Sequence, residues 1–429
     1  MQVLIRGGRV IDPASDTDAV EDLLLVDGRV AEHGPQIDAP EAELIDARGC
    51  WVTPGFVDLH THLREPGQEY KEDIATGGRS AAAGGFTGIA CMANTHPVND
   101  DPATTDFILD RARQDSPVRV YPVAAATKGL EGKVMTEMAA LKAAGAVAFS
   151  DDGKTIMDTG VMRRVLEYSK LVDAPVITHA EDRTLVGSGV VNEGMISTKL
   201  GLPGNPAMAE ELHVSRDVML AEFTGAHVHV AHVSTRGGVE HVRAARERGV
   251  HVTAEVTPHH LTLTDAEVLE YDTNAKVAPP LRSKADRDAC RAGLCDGTLD
   301  AIATDHAPHA LHEKDLDFRE APPGMIGFET ALGAVLDLVR TGEITPLELV
   351  RRLSTTPARI LRVAGGSLEP GQVGDVAILD PEEAWIYDPT KGFSKSVNSP
   401  WTGRSLTGRV RKTLVDGSVV YDVEKGILV

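Results

Sequence analysis

From residue 55 to about residue 310 the chain alternates short apolar runs with longer stretches rich in Ala, Leu and charge. The runs are GFVDLHTH, FTGIACMANT, VRVYPVAAAT, AVAFSDDG, APVITHAED, HVHVAHVST, VHVTAEVTPHH and LDAIATDHAPH, eight in all. Between them lie segments such as IATGGRSAAAG, TGVMRRVLEYSKLV and GGVEHVRAARERG, which read as helices. Strand–helix alternation predicts a parallel sheet. Eight units over about 300 residues predict a closed (β/α)8 TIM-type barrel. The alternative is an open doubly wound sheet, which is disfavoured because no Rossmann glycine fingerprint follows an early strand. The two ends have a different rhythm. VLIRGGRVID, DLLLVDGRV and GCWVTP near the start, and GDVAILD and GRVRKTLVDGSVVYD near the end, alternate β-branched residues with glycine turns, including Asp27-Gly28 and Asp416-Gly417. Such runs read as hairpins. The predicted α/β architecture is therefore a barrel over residues 55–363 with a small β-sandwich built from both termini, residues 1–54 and 364–429.

Composition narrows the classes of function. Across 429 residues, 43 Lys and Arg stand against 64 Asp and Glu, a net charge of −21. A chain this acidic has no general attraction for nucleic acid or anionic membranes. No apolar run reaches the length of about 18 residues needed for a spanning helix. The N-terminus MQVLIRGGRVIDPASD turns polar too soon for a signal peptide. The four cysteines, Cys50, Cys91, Cys290 and Cys295, form no CxxC pair and read as packing residues of a reduced, cytoplasmic protein.

The polar residues of the middle segment fall at the ends of its apolar runs. His60 and His62 end the first, Asp151 and Asp152 the fourth, His179 the fifth and His232 the sixth. Asp305, His306 and His309 end the eighth. In a (β/α)8 barrel, functional groups gather at the C-terminal strand ends. Residues two apart on a strand share a face, so His60 and His62 can present imidazoles to one ion. Imidazole with carboxylate suits zinc or a similar divalent ion. Four histidines and two carboxylates exceed one tetrahedral site, which predicts two ions with a carboxylate between them. Metal binding acidifies water toward neutrality. Asp305, facing the same mouth, is the candidate to move its proton.

Those residues carry a family likeness. PGFVDLHTHLREPG and ATDHAPH resemble two signatures of dihydroorotases, and GGFTGIACMANTHPVND, AVAFSDDGKTI, ITHAED, HVAHVSTRGGVEHVR, TAEVTPHHLTLT, APPGMIGFET and SKSVNSPWTGRSLTGRV look like successive blocks of the same family. The likeness runs from about residue 45 to 422 and points to the class I type within the amidohydrolase superfamily. It implies reversible interconversion of (S)-dihydroorotate and N-carbamoyl-L-aspartate, the third step of pyrimidine synthesis. It further implies two zinc ions, one on His60 and His62 with Asp305 nearby, the other on His179 and His232, bridged by Asp152. Asp151 is the runner-up bridge. Lys154 is the nearest lysine that could instead carry the carboxylated bridge of many amidohydrolases. By the same resemblance, Arg64, Asn94 and His309 contact the substrate carboxylate beside His62, and the Pro323-Gly324 backbone meets the ring. A guanidinium holds a carboxylate by two parallel hydrogen bonds.

Two positions depart from the family. Ala278 stands where relatives carry a substrate-touching Asn, and Ala93 replaces the proline of the more usual MPNT. His259 and His260 read as packing or supporting residues, and 309–319 as a polar lid over the mouth. Other readings are a hydantoinase or allantoinase, which do not need a carboxylate clamp, and an inactive homologue that supports aspartate transcarbamoylase. A small-molecule substrate, a homodimer and a transcarbamoylase partner are the associations expected.

Overall fold

The computed structural model describes residues 1–428. Eight parallel strands lie side by side in chain order: β1 (Phe56–Thr61), β2 (Phe86–Cys91), β3 (Arg119–Ala124), β4 (Ala148–Phe149), β5 (Val176–Thr178), β6 (Val228–Val230), β7 (Val252–Val256) and β8 (Ala301–Ile302). The ring closes just past β8, where Thr61 bridges His306 in parallel and His62 N donates to the His306 carbonyl at 2.9 Å. The eight apolar runs of the sequence are these eight strands.

Strand alternation sorts the side chains. Val252, Ala254 and Val256 of β7 join Val228 and Val230 of β6 in the large apolar cluster shared with the surrounding helices. Thr253, Glu255 and His229 point the other way and bond to one another inside the barrel. Helices cover the strands because their apolar stripes find that outer layer. Arg236–Glu247, for example, buries Val239, Val242 and Ala245 and is capped by the Thr235 hydroxyl, which accepts from Gly238 N.

The termini meet in one mixed sheet of nine strands. Val376–Ile386 pairs antiparallel with Trp51–Pro54, from Val376 opposite Pro54 to Leu379 opposite Trp51, and this seam joins the N-terminal and C-terminal parts. The sheet encloses its own core, including Ile5, Val10, Leu23, Val52, Val376, Ile378 and Leu414. Its hairpins turn at the two Asp-Gly pairs. Asp27 and Gly28 have φ of 48° and 80°, Asp416 and Gly417 have 47° and 73°. Two successive left-handed residues make the turn whose twist matches the flanking strands.

Two features of this sheet reach the barrel mouth or seam. The segment between Val376–Ile386 and Ser405–Val415 carries Asn398, which bonds to the loops after β8. Thr413 donates to the Ala82 carbonyl at 2.6 Å, fixing the sheet against the helix Ile74–Ala83.

Candidate metal centre and substrate cleft

Six strand-end residues converge. His60 Nε2 lies 3.3 Å from Asp152 Oδ1, and His62 Nε2 lies 3.1 Å from Asp305 Oδ1 and 3.6 Å from Asp152 Oδ2. His179 Nδ1 is 2.8 Å from His232 Nε2 and 3.5 Å from Asp152 Oδ1. All six are buried. His60, Asp152 and His232 form one set able to hold an ion, and His60, His62 and Asp305 another.

Backbone conformation aims several of these groups. Arg64, His232 and Asp305 hold φ of 63°, 34° and 48°. Left-handed conformations of this kind in non-glycine residues cost about 1–3 kcal/mol each and persist only where the surroundings fix them. Asp151 and Asp152 separate as adjacent residues must. Asp152 faces the histidines, whereas Asp151 accepts from Thr127 N at 2.8 Å and from the Thr127 hydroxyl. Burial outweighs those bonds at Asp151 and pushes its carboxyl up to about 6. Lys154 is exposed and outside the cluster.

Hydrogen bonds set the tautomers. His60 Nδ1 meets Glu255 Oε1 at 3.0 Å and His62 Nδ1 meets Asn94 Oδ1 at 2.9 Å. A ring nitrogen facing an acceptor carries the proton, which leaves the other nitrogen with a lone pair. In the neutral ring, both histidines thus turn an Nε2 lone pair toward Asp152 and Asp305. His60 Nε2 and Asp152 Oδ1 are buried with no hydrogen-bond partner. Unpartnered nitrogen and oxygen donors aimed at one point, with the outer nitrogens already tied, fit a divalent cation of the zinc type.

The electrostatics agree. Burial opposes charge on His60, yet Asp152 and Asp305 together raise it well above its ordinary value. Burial works against Asp152 and Asp305 also, but the imidazoles hold both carboxyls well below the usual range. His179 rises to about 10 despite its burial, through Asp152 and Glu181. The site therefore concentrates negative charge that a cation would balance.

Beside the cluster opens a cleft of about 330 Å³. His62, Arg64, Asn94, His309, Pro323 and Gly324 line it, with Asp152 and Asp305 at its floor. Arg64 is 8% exposed. Its Nε donates to the Pro308 carbonyl at 3.2 Å and its Nη2 lies 3.4 Å from His309 Nε2. Among the described residues it makes no ion pair, and burial lowers its guanidinium to about 10. The Asn94 oxygen is occupied by His62, so its amide NH2 is the group left for a ligand. His309 Nε2 meets the Pro323 carbonyl at 2.9 Å, and burial holds its ring far below the ordinary value, at about 2. Ala278 also lines the cleft.

Several residues of this site carry no signal in the strand-end pattern. Glu255 ties His60, His229 Nε2 at 3.0 Å and His232 N at 3.3 Å. The period-two pattern of VTAEV marks it as inward-facing, but an inward acid by itself says nothing of its partners. Asn398 accepts from His309 N at 3.1 Å and donates to the Ala307 and Gly324 carbonyls at 3.1 and 3.0 Å. Glu181 and Arg183 add charge at the rim. His260 is a packing residue, bonded to the Thr257 hydroxyl at 2.8 Å and the Pro279 carbonyl at 3.2 Å. The 309–319 segment carries the short helix Leu311–Lys314 and is bonded to neighbouring chain at several points.

A closed parallel barrel with imidazoles and carboxylates at its strand ends, joined to a sheet from both termini, is the architecture of a cyclic amidohydrolase. An L-hydantoinase (dihydropyrimidinase) from Arthrobacter aurescens shares it with a TM-score of 0.90 at 26% identity, covering 100% of this chain and 97% of the other. The sequence profile described as "Dihydro-orotase-like" matches residues 49–238. A dihydroorotase from Syntrophus aciditrophicus is 52% identical over 423 residues, 98% of this chain and 99% of the relative. One from Citrifermentans bemidjiense is 53% identical over 422 residues, 98% and 100% of the two chains. The chain belongs to the dihydroorotase family.

Proposed function

We propose that this chain is a metal-dependent dihydroorotase that reversibly closes N-carbamoyl-L-aspartate to (S)-dihydroorotate and water, the third step of pyrimidine synthesis. The observation that carries the reading is Arg64, a buried guanidinium with no carboxylate partner among the described residues, facing the same cleft as the histidine–aspartate cluster. An unpaired buried cation is costly unless a ligand supplies the counter-charge.

Two zinc ions held by His60, His62, Asp152, His179, His232 and Asp305 would supply Lewis acidity, acidifying a water and polarising an amide carbonyl. Asp152 lies between the two histidine pairs and would help to hold both ions. Arg64 and the Asn94 amide hold the substrate carboxylate, with His309 closing that end. The Pro323-Gly324 backbone forms the wall against the ring. Asp305 moves the proton, taking it at its carboxylate in ring opening and delivering it to the leaving ring nitrogen, with closure running in reverse. Glu255 and Asn94 hold His60 and His62 in the tautomer that leaves Nε2 free. At Ala278 one hydrogen bond to substrate is missing, typically worth about 0.5–1.5 kcal/mol. The seam between Val376–Ile386 and Trp51–Pro54, with the Arg29–Val373 bridge beside it, supports a division into a barrel at 55–363 and one terminal unit from 1–54 and 364–429. Four unpaired cysteines support a cytoplasmic protein.

Side-by-side assays of dihydroorotate, hydantoin and allantoin, with metal analysis, test the proposal. Turnover of dihydroorotate with bound zinc is expected. Turnover of only the other two rings would defeat it, as would metal-free folded protein active only when a transcarbamoylase is added.

A further inference from the structure

Two lysines outside the metal cluster and the cleft lining are buried at 5% exposure each, and the ammonium groups of both meet backbone carbonyls. Lys276 Nζ donates to the carbonyls of Phe318, Arg319 and Ala321 at 2.7, 3.1 and 2.6 Å. Lys314 Nζ donates to those of Pro322 and Gly324 at 2.9 and 3.0 Å. The Lys276 carbonyl also accepts from Gly324 N at 2.8 Å. Five carbonyls within seven residues thus converge on two cations.

The pattern has a consequence for the cleft. In extended chain, successive carbonyls alternate in direction. Lys314 takes the carbonyls of Pro322 and Gly324, the two that flank Pro323, and the Pro323 carbonyl points the opposite way, to His309 Nε2 at 2.9 Å. The His309 ring in turn lies 3.4 Å from Arg64 Nη2. A path of direct contacts therefore runs from the two ammonium groups through Pro323 and His309 to the guanidinium. Gly324 is held so closely that a Cβ there would sit 2.9 Å from the Ala307 carbonyl and from His309 Cδ2, at φ +139°.

We propose that Lys276 and Lys314 are positioning residues of the substrate site, whose ammonium groups hold residues 318–324 as a fixed wall and so set the placement of His309 and Arg64. The inference rests on the reading of this cleft as a carboxylate-binding site. Charge-assisted hydrogen bonds are roughly twice as strong as neutral ones, so the wall is firmest while both lysines are protonated. Burial lowers Lys276 to about 8 and Lys314 to about 7. Glu320 is the charge that faces Lys276 and opposes its lowering, and the Phe318 ring lies 5.5 Å from the same ammonium. Those facing Lys314 are Lys276, which adds to the lowering, and Asp272 and Glu313, which oppose it.

Lys314→Met and Lys276→Met should raise KM for dihydroorotate and for N-carbamoyl-L-aspartate about tenfold, with kcat within about twofold of wild type and metal content unchanged. Wild-type KM should also rise as pH passes upward through the lysine range, and the Lys276→Met, Lys314→Met double variant should lack that limb. KM within about twofold of wild type in both variants would overturn the proposal, and so would a loss confined to kcat. If the variants do not fold, amide exchange of residues 318–324 in the wild-type holoenzyme decides. Relative to the strand Gln2–Asp12, it should accelerate between about pH 6 and about pH 9, and a constant ratio would overturn the proposal. Exchange reports on the wall whichever ring the enzyme opens. Failure of the carboxylate-site reading shows separately, as an unchanged KM on Arg64→Met.

Discussion

Replacing Arg64 by Met removes the guanidinium while keeping an unbranched side chain of similar reach. In the free protein Arg64 gives one hydrogen bond to the Pro308 carbonyl at 3.2 Å and has no carboxylate partner among the described residues. Its removal deletes a buried, unpaired charge, so the melting temperature should stay level or rise. Substrate binding should suffer heavily. Truncating one partner of a buried, hydrogen-bonded charge pair costs about 2–5 kcal/mol. At about 1.4 kcal/mol per decade this is a loss of about 30-fold to several thousand-fold in kcat/KM. The loss should appear mainly as raised KM in both directions, because the carboxylate is bound equally in ground and transition states. Arg64→Lys should recover only part of it, since an ammonium cannot reproduce the two-pronged contact. Initial rates over substrate concentration in both directions, beside thermal melts and metal content, provide the measurement. An unchanged KM in a folded, metal-replete variant would refute the carboxylate clamp.

Asp305→Ala should retain most of the metal yet lower kcat in both directions by about 10²–10⁴-fold, and rates near wild type would assign the proton to another group. Glu255→Gln exchanges the carboxylate that meets His60 Nδ1 at 3.0 Å for a weaker acceptor. Metal affinity should fall about 10–100-fold in a chelator titration, while wild-type affinity would show that His60 needs no such support. Gly324→Ala places a methyl 2.9 Å from both the Ala307 carbonyl and His309 Cδ2, at a φ of +139° that side chains rarely adopt. KM should rise and stability fall by about 1–3 kcal/mol, an expectation that unchanged kinetics and melting would reject.

The local order of this protein can be read from its chain alone. Its eight apolar runs are the eight barrel strands, because alternating buried strands and amphipathic helices leave few other arrangements that bury both. The Asp27-Gly28 and Asp416-Gly417 pairs set two hairpins through their left-handed backbone. The convergence of His60, His62, Asp152, His179, His232 and Asp305 was legible because each lies at or just past the end of a strand, and strand ends share one mouth. Arg64 was legible by its spacing from His62. Whatever depends on neighbours distant in sequence came only with the folded molecule. Asp152 rather than Asp151 faces the histidines because Thr127 occupies the other carboxylate. Glu255 became a support for His60 only when the barrel closed and left β7 one strand away from β1, with β8 between them. Asn398 reached His309 only because the terminal sheet carries its loop to the mouth. Nothing local in the sequence distinguishes Lys276 and Lys314 from other lysines. Their ammonium groups found partners only when the chain at 318–324 folded over them, since backbone carbonyls have no sequence signature and the acceptors of a buried cation are set by the path of the chain.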